Sequence, residues 1–216
     1  MENIQTPPKA KSRISADLYR SHARKLSRRH KGFKQLVKSI GPLKIKVPIW
    51  QSIDSAMLYS VIGQMLSASA SASILKRLYS RYNTPKKIIE WAHRTRNVQG
   101  ALCGVSQRKR KALSEWLIYK KGNKKRWLEW RDSYPDMYRQ DITRIWGFGN
   151  WSADMIGIFY LGRMDIWPKS DAGLLRACRQ VINTDNQQVI MRLVKDCETT
   201  AALYLWEYLD NKIKLT

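Results

Sequence analysis

The chain has 216 residues and a mass of 25.3 kDa, which is enough for one sizeable core or two small lobes. Forty Lys and Arg residues against 17 Asp and Glu residues give a formal net charge of +23, a balance that favours a polyanionic partner, most simply nucleic acid. The sequence has no long apolar run and no leader-like start, so we expect no membrane association and an intracellular location, either cytoplasm and nucleoid or nucleus.

The cysteine and histidine patterns exclude several kinds of site. The three cysteines are Cys103, Cys178 and Cys197, which are too few and too far apart for a disulfide framework or a paired-cysteine metal site. The three histidines lie among basic or polar residues, without the spacing of a metalloprotease or a catalytic triad.

The N-terminal part of the chain is strongly basic. Residues 1–12 contain Pro-Pro and no periodicity, which predicts a disordered basic arm, and residues 13–216 are expected to form one helical folding unit. A helix is predicted from Ile14 to about His30, with a weak apolar face and many Arg and Lys residues. Its charge fits a solvated face or a phosphate-contacting face equally well.

The middle of the chain is predicted to be helical throughout. A short helix covers residues 33–40, and a long helical pattern begins near Ser52 and reaches about Leu78, with a break expected near residues 67–70. Further helices are predicted over residues 84–91, from 106 to about 117 and over 127–130, with a basic loop at 120–125.

The segment Gly147-Phe148-Gly149 separates two predicted helices, one that ends near Ile145 and one that runs from Trp151 to Leu161. One glycine of such a turn permits a positive φ angle, and the other removes side-chain bulk so that the backbone can approach a ligand. The unpaired N–H groups of the second helix would attract an anion such as a phosphate. A Gly-capped helix end followed by an unrelated helix is the simpler alternative.

After the hairpin, Pro168 and Asp171 precede a third helix that runs from about Ala172 to Val181. Asp is an ordinary N-cap residue, so a capping role for Asp171 is the simplest interpretation from this segment alone. Two more helices are predicted over residues 187–194 and 199–209. Because no segment alternates with period two, the predicted fold is all-α, with two helical lobes, a cleft between them, and a helix-hairpin-helix followed by a Pro-x-x-Asp loop.

Several short motifs together resemble the helix-hairpin-helix DNA glycosylases, most closely the 3-methyladenine DNA glycosylase II type. The resemblance covers about residues 33–209, roughly four fifths of the chain. The matching segments are Ile62-Gly63-Gln64-Met65-Leu66-Ser67, Gly104-Val105-Ser106 with Lys109, Phe148-Gly149-Asn150-Trp151-Ser152-Ala153, Leu161-Gly162-Arg163-Met164-Asp165 and Asp171-Ala172-Gly173-Leu174.

The resemblance implies a role for each matching residue. Asp171 would be the catalytic carboxylate, Trp151 and Gln64 would line the base pocket, and Met65 would insert into the DNA stack. The alternative for Met65 is an ordinary core methionine. The DNA phosphate contact would be made by Gly147, Phe148, Gly149, Asn150 and Trp151. The backbone carbonyls of Thr143, Ile145 and Phe148 are candidate ligands for a monovalent cation, Na⁺ or K⁺, and with three cysteines no four-cysteine iron–sulfur cluster is expected.

The chain departs from the family pattern at two places near the predicted pocket. Met155 occupies a pocket position where the family often has Tyr, and Asp196-Cys197-Glu198 replaces the usual Pro-Trp-Arg. The pocket would therefore have fewer aromatic rings than the type pattern. Three further tryptophans could compensate, although we expect them to belong to the core, namely Trp146, Trp167 and Trp206.

These features together predict a monofunctional DNA glycosylase that excises cationic alkylated purines, such as 3-methyladenine and 7-methylguanine, from double-stranded DNA as a monomer, without strand cleavage. Relatives that cleave the strand carry a Schiff-base lysine at the position of Trp151. One alternative is a non-catalytic helix-hairpin-helix DNA-binding protein, which would need neither Asp171 nor Trp151. A second is a helix-turn-helix regulator, but the apolar helix after the hairpin is suited to burial rather than to reading bases.

Overall fold

The computed structural model describes residues 15–45, 47–123, 126–131 and 135–213. The helices in these ranges confirm the predicted all-α class. The predicted arm at residues 1–12 lies outside these ranges. Within them, none of the helices is long and apolar enough to span a bilayer. The α-helices are α1 Ala16–Arg29, α2 Lys31–Ile40, α3 Ile53–Gly63, α4 Ala68–Tyr82, α5 Pro85–Arg94, α6 Gln107–Gly122, α7 Pro135–Arg144, α8 Asn150–Phe159, α9 Ala172–Ile182, α10 Gln187–Val194 and α11 Glu198–Asp210. A short 3₁₀ helix, Arg126–Arg131, lies between α6 and α7.

Local capping chemistry explains most of the helix boundaries. His30 ends α1 and also begins α2, where its ring nitrogen Nδ1 accepts a bond from the N–H of Gly32 at 3.0 Å. Asn83 adopts a left-handed conformation that ends α4, and Thr84 then caps α5. Ser106 caps α6 in the same way.

Two sequence-based boundaries differ from the structure. The break between α3 and α4 lies at residues 64–67 rather than 67–70, because the Ser67 side chain caps the N-terminus of α4 and so belongs to its start. The predicted basic loop at residues 120–125 begins late, since α6 continues to Gly122. Lysines have good helix propensity, so a basic run does not by itself end a helix.

The helices form two packing groups. In one group, α1 and α2 pack with α9 and α11, and α10 adds contacts to α1 and α11. In the other group, α3 packs against α4, α5, α6 and α8. Helix α7 packs on α8, so α8 stands between α7 and α3.

A buried arginine fixes the loop that leads into α6. The Arg110 side chain is fully buried, and its guanidinium group donates to the carbonyl oxygens of Thr95, Val98, Gly100 and Val105. Four carbonyl acceptors satisfy the buried cation, which would otherwise be costly to desolvate. The N-terminal turn of α6 is therefore held in one position relative to the residues before it.

Candidate active site

The turn between α7 and α8 has the features expected of a hairpin that meets an anion. Gly147 has a φ angle of +89°, and a Cβ atom there would lie 2.4 Å from the Cβ of Ala112 in α6. Gly149 begins α8 without any side-chain cap, and a Cβ at this position would meet nothing within 4 Å. The first N–H groups of a helix have no partner within the helix, and the space beside Gly149 is open, while the neighbouring Phe148 side chain is buried and anchors the turn.

Asp171 caps α9 and also contacts the hairpin helix. Its Oδ1 accepts a bond from the backbone N–H of Leu174 at 2.8 Å, and its Oδ2 accepts one from the indole Nε1–H of Trp151, also at 2.8 Å. The side chain is mostly buried, with 9 % of the residue exposed. The capping role is thus present, and both oxygens are held in fixed directions. The catalytic role of Asp171 stays a prediction.

Trp151 connects α8 to both α3 and α9. It is half-buried, and its Cη2 atom would lie 3.5 Å from a Cβ at Gly63, so the ring edge covers the end of α3. A Cβ at position 63 would meet the ring at an ordinary van der Waals distance, so the two helices are in direct contact here. The structure therefore brings together Trp151 and Asp171, which are 20 residues apart in the sequence.

A second carboxylate, Asp154, lies near Asp171 and was not singled out from the sequence. Asp154 is buried in α8 and pairs with Arg139 of α7 at 2.7 Å. Burial raises the pKa of the Asp154 carboxyl group, the Arg139 bond opposes that shift, and the negative charge of Asp171 adds to it. The available signal was a single acidic residue in an otherwise apolar helix.

The turn between α3 and α4 presents Met65 to solvent. Met65 is fully exposed and has a φ angle of +57°, a left-handed conformation that is uncommon for residues with a side chain. The preceding Gln64 donates its amide Nε2–H to the carbonyl of Gly147 at 2.9 Å and to the hydroxyl of Ser152 at 3.0 Å. Exposure excludes the alternative of a core methionine. The wedge role of Met65 and the lesion contact of Gln64 stay predictions.

An aromatic cluster joins α3, α8 and α11, and of its four rings only Trp206 was singled out from the sequence. Phe159 packs against Trp50 at 5.2 Å and against Trp206 at 5.7 Å between ring centroids, and Trp50 packs against Tyr59 at 5.7 Å. All four rings are only partly buried. Phe159 lies on the same face of α8 as Trp151, eight residues away, and Tyr59 lies one turn before Gly63 on α3.

The other residues predicted to lie in or near the pocket differ in how far they are buried. Met155 is 5 % exposed and packs into the core, and Trp167 is buried as expected. Trp146 is not a core residue, because it is 42 % exposed and its ring carries the Nζ of Lys111 at 4.4 Å and the guanidinium of Arg108 at 6.0 Å. A tryptophan beside two cations is satisfied by cation–π contacts and does not need burial.

The predicted cation site remains a prediction. The carbonyl of Ile145 accepts the N–H of Phe148 at 3.0 Å and keeps one lone pair available, which is compatible with the proposed ligand set of Thr143, Ile145 and Phe148. In the described part of the chain, no group of three or more His, Cys, Asp and Glu side chains could hold a metal ion. Cys178 and Cys197 are buried singly, and burial raises the pKa of Cys178 to about 12.

Comparisons with curated proteins find relatives that are named as glycosylases of alkylated bases in DNA. The chain is 26 % identical over 204 residues to the alkylbase DNA glycosidase-like protein mag2 of Schizosaccharomyces pombe, covering 88 % of this chain and 93 % of the relative. It is 26 % identical over 167 residues to a DNA-3-methyladenine glycosylase of Saccharomyces cerevisiae, covering 71 % and 56 % of the two chains. It is 27 % identical over 197 residues to DNA-3-methyladenine glycosylase 1 of Schizosaccharomyces pombe, covering 84 % of each. No protein-family model matches the chain.

Solved structures share the fold. The 3-methyladenine DNA glycosylase Mag1 of Schizosaccharomyces pombe, in complex with abasic DNA, matches with a TM-score of 0.70 at 21 % identity, over 87 % of this chain and 95 % of that one. The 3-methyladenine DNA glycosylase of Archaeoglobus fulgidus matches with a TM-score of 0.69 at 18 % identity, over 93 % and 70 %. The chain therefore shares its fold with these 3-methyladenine DNA glycosylases and is similar in sequence to curated proteins named as glycosylases of alkylated bases.

Proposed function

We propose that the chain is a monofunctional DNA glycosylase that removes alkylated, cationic purines from double-stranded DNA by hydrolysis. The observation that carries this proposal is the Asp171 carboxylate, which is fixed by the N–H of Leu174 and the indole of Trp151 beside the hairpin. The helix cap accounts for the bond from Leu174, but a non-catalytic DNA-binding module has no need for the second bond, from Trp151. The negative charge would even repel phosphates.

The chemistry follows from the nature of the glycosidic bond. A base stacked in a duplex is out of reach, so the enzyme must extrude the nucleotide and fill the gap that it leaves. When the C1′–N bond breaks, its electron pair leaves with the base and positive charge develops on the sugar. A fixed carboxylate stabilises that charge and can orient the water that adds to C1′. Water supplies the new C1′–O bond and loses a proton, and the product is an abasic site.

The aromatic cluster supports an alkylated purine as the substrate. Trp50, Tyr59, Phe159 and Trp206 offer partly exposed, electron-rich rings, and Phe159 lies on the same helix as Trp151. A purine methylated at N3 or N7 carries a positive charge and gains about 0.5–2 kcal/mol from contact with such faces. The same charge makes the base a good leaving group, so little acid catalysis is needed. The named relatives include DNA-3-methyladenine glycosylases, which supports the same substrate class.

The absence of strand cleavage rests on the residue at position 151. A bifunctional glycosylase needs a lysine amine to attack C1′ and form an imine. Trp151 has no such amine, and its Nε1–H is already bonded to Asp171. Lys169 is close in sequence but exposed and not at the matching position. All the site residues come from one chain, so we propose that a monomer acts, in the nucleoid or nucleus where its DNA substrate is found.

The test is an incubation of the protein with methylated duplex DNA, with released bases and strand nicks measured separately. We expect release of 3-methyladenine or 7-methylguanine and no nicking until the abasic sites are cleaved by alkali. Release of neither base would refute the proposed activity. Nicking without alkali would refute the monofunctional mechanism.

A further inference from the structure

We propose that Lys109 is a positioning residue that holds the Met65 turn at a fixed distance from the DNA-binding hairpin. The inference rests on the proposed function, because it assigns Met65 the task of filling the space left by an extruded nucleotide. Lys109 itself would touch neither the substrate nor the DNA. It would act through the backbone that carries Met65.

The direct contacts of Lys109 carry the proposal. Its ammonium group donates to the carbonyl oxygen of Ile62 at 2.7 Å and to that of Gln64 at 2.9 Å. These carbonyls lie at the C-terminal end of α3, where unpaired carbonyls and the helix dipole favour a cation. Lys109 is half-buried, so both charge-assisted bonds are partly shielded from water.

The turn held by Lys109 needs such support. Met65 has a left-handed backbone that costs steric strain, and its side chain is fully exposed, so the packing of its own side chain does not fix its position. Free in solution, a turn of this kind would sample several conformations. Both bonds from Lys109 go to carbonyl groups on the N-terminal side of Met65, and they restrict the turn before DNA binds.

Helix α6 supports the hairpin as well as the turn. Ala112, three residues after Lys109, packs directly against Gly147, where a Cβ would lie only 2.4 Å away. Gln64 closes the connection, because its amide donates to the carbonyl of Gly147. The Met65 turn and the hairpin are thus attached to the same helical turn of α6 and to each other. Met65 can then enter the DNA at a set distance from the phosphate bound by the hairpin.

The position of Lys109 is itself fixed by its neighbours. Ser106 caps α6 by accepting the N–H of Lys109 at 3.3 Å, and the buried Arg110 fastens the preceding loop through four carbonyls. A lysine on a solvated helix face would not need its helical turn to be fixed in this way. Burial lowers the pKa of Lys109, which agrees with its enclosed location.

The experiment compares three variants with the wild-type protein. Lys109→Met keeps the length of the side chain and removes its donors, and Lys109→Arg keeps a cation that can bond to carbonyls. Lys121→Met is the matched control, because Lys121 lies on the same helix, is exposed, and loses the same charge. Single-turnover excision is measured for one methylated purine placed either in a normal pair or opposite a mismatch, where extrusion is already easier.

We expect Lys109→Met to slow excision of the paired lesion by about 10- to 100-fold, the cost of a misplacement near 1 Å. Excision opposite the mismatch should fall much less, Lys109→Arg should restore most of the rate, and Lys121→Met should match wild type. Equal losses on both substrates would show a general structural defect and overturn the proposal. Rates for Lys109→Met within about threefold of Lys121→Met on the paired lesion would also overturn it, because a 1 Å error should cost more.

A second readout separates this proposal from the proposed function. A duplex carrying a tetrahydrofuran abasic analogue beside 2-aminopurine reports side-chain insertion by fluorescence and requires no bond cleavage. At saturating protein, wild type and Lys121→Met should change the fluorescence, and Lys109→Met should lose at least half of that change. If wild type excises no base, the proposed function fails while this signal still tests Lys109. An unchanged signal for Lys109→Met would refute the positioning role.

Discussion

Two hydrogen bonds decide how Asp171 can be tested. Both carboxylate oxygens accept a donor, the N–H of Leu174 on one side and the indole of Trp151 on the other. From the sequence alone, Asn appears a neutral replacement, since Asn and Asp cap helices equally well. The structure changes that expectation. An amide offers one accepting oxygen, so its NH₂ group must face one of the two donors.

Asp171→Asn should therefore lower both rate and stability, by separable amounts. We expect single-turnover release of a methylated purine to fall about 100- to 1000-fold, since the charge that stabilises the sugar cation is lost. The free energy of unfolding should fall by about 1–3 kcal/mol because a buried donor is left unpaired. Both are measured on one preparation, by base release and by urea unfolding.

The control variant is Thr84→Ala, which removes the cap of α5, a helix that carries none of the proposed site residues, and should cost about 1 kcal/mol without slowing excision. If Asp171→Asn excises within a few-fold of wild type, the carboxylate is a helix cap and nothing more.

The hairpin glycines have distinct physical tasks. Gly147 needs a positive φ angle and a close approach to Ala112, whereas Gly149 has an extended backbone that any residue can adopt and faces open space. The first is required by the fold. The second is required only if something occupies the space in front of α8, and the proposed occupant is a DNA phosphate.

Two substitutions should separate these tasks. Gly147→Ala should destabilise the protein by about 1–3 kcal/mol, through strain and overlap with Ala112. Gly149→Thr should leave the melting temperature unchanged or higher, because Thr is an acceptable N-cap. It should nevertheless weaken duplex binding about 10- to 100-fold, the worth of one bond to a charged group. Normal DNA affinity in Gly149→Thr would mean that the hairpin meets no phosphate.

The sequence predicted the helices and their caps better than the contacts between helices. Caps such as Thr84, Ser106 and Asp171 were visible because each bonds to a residue three positions away. The pairing of Trp151 with Asp171 depends on how α8 and α9 pack, and no local pattern encodes that distance. Three of the four rings in the aromatic cluster were missed for the same reason, since the cluster joins one loop and three helices. Trp146 was misassigned because an aromatic residue was taken as core without its cationic neighbours.

At the scale of the whole molecule, α1 contributes both to the positive charge and to the packing of the core. This helix carries exposed basic residues on one side, while Tyr19, Ala23 and Leu26 are buried in the core on the other. Deleting it would therefore damage the fold as well as remove charge. The role of its charge has to be tested by substitution.

Replacing Arg24, Lys25 and Arg28 with Gln tests the basic face of α1 while its buried side stays intact. If these residues bind phosphates, the slope of log K against log salt for undamaged duplex should become shallower by about 0.9 for each phosphate that is no longer neutralised. The control replaces Lys86, Lys87 and Lys121, which are also exposed, and removes the same charge. Equal slopes in the two variants would indicate that the α1 charge is only solvated.

The three-residue spacing between Lys109 and Ala112 has a consequence for how this protein can change in length. Both residues use the same side of α6, one to hold the Met65 turn and the other to hold Gly147. One residue inserted between them would rotate one partner by about 100° around the helix axis relative to the other. Insertions between α6 and α7 leave that relation intact, but an insertion inside this single turn would move the Met65 turn and the hairpin apart, and these are the two surfaces that we propose contact DNA together. The connections between helices can therefore change in length, whereas residues 109–112 of α6 cannot gain or lose a residue without separating these two contacts.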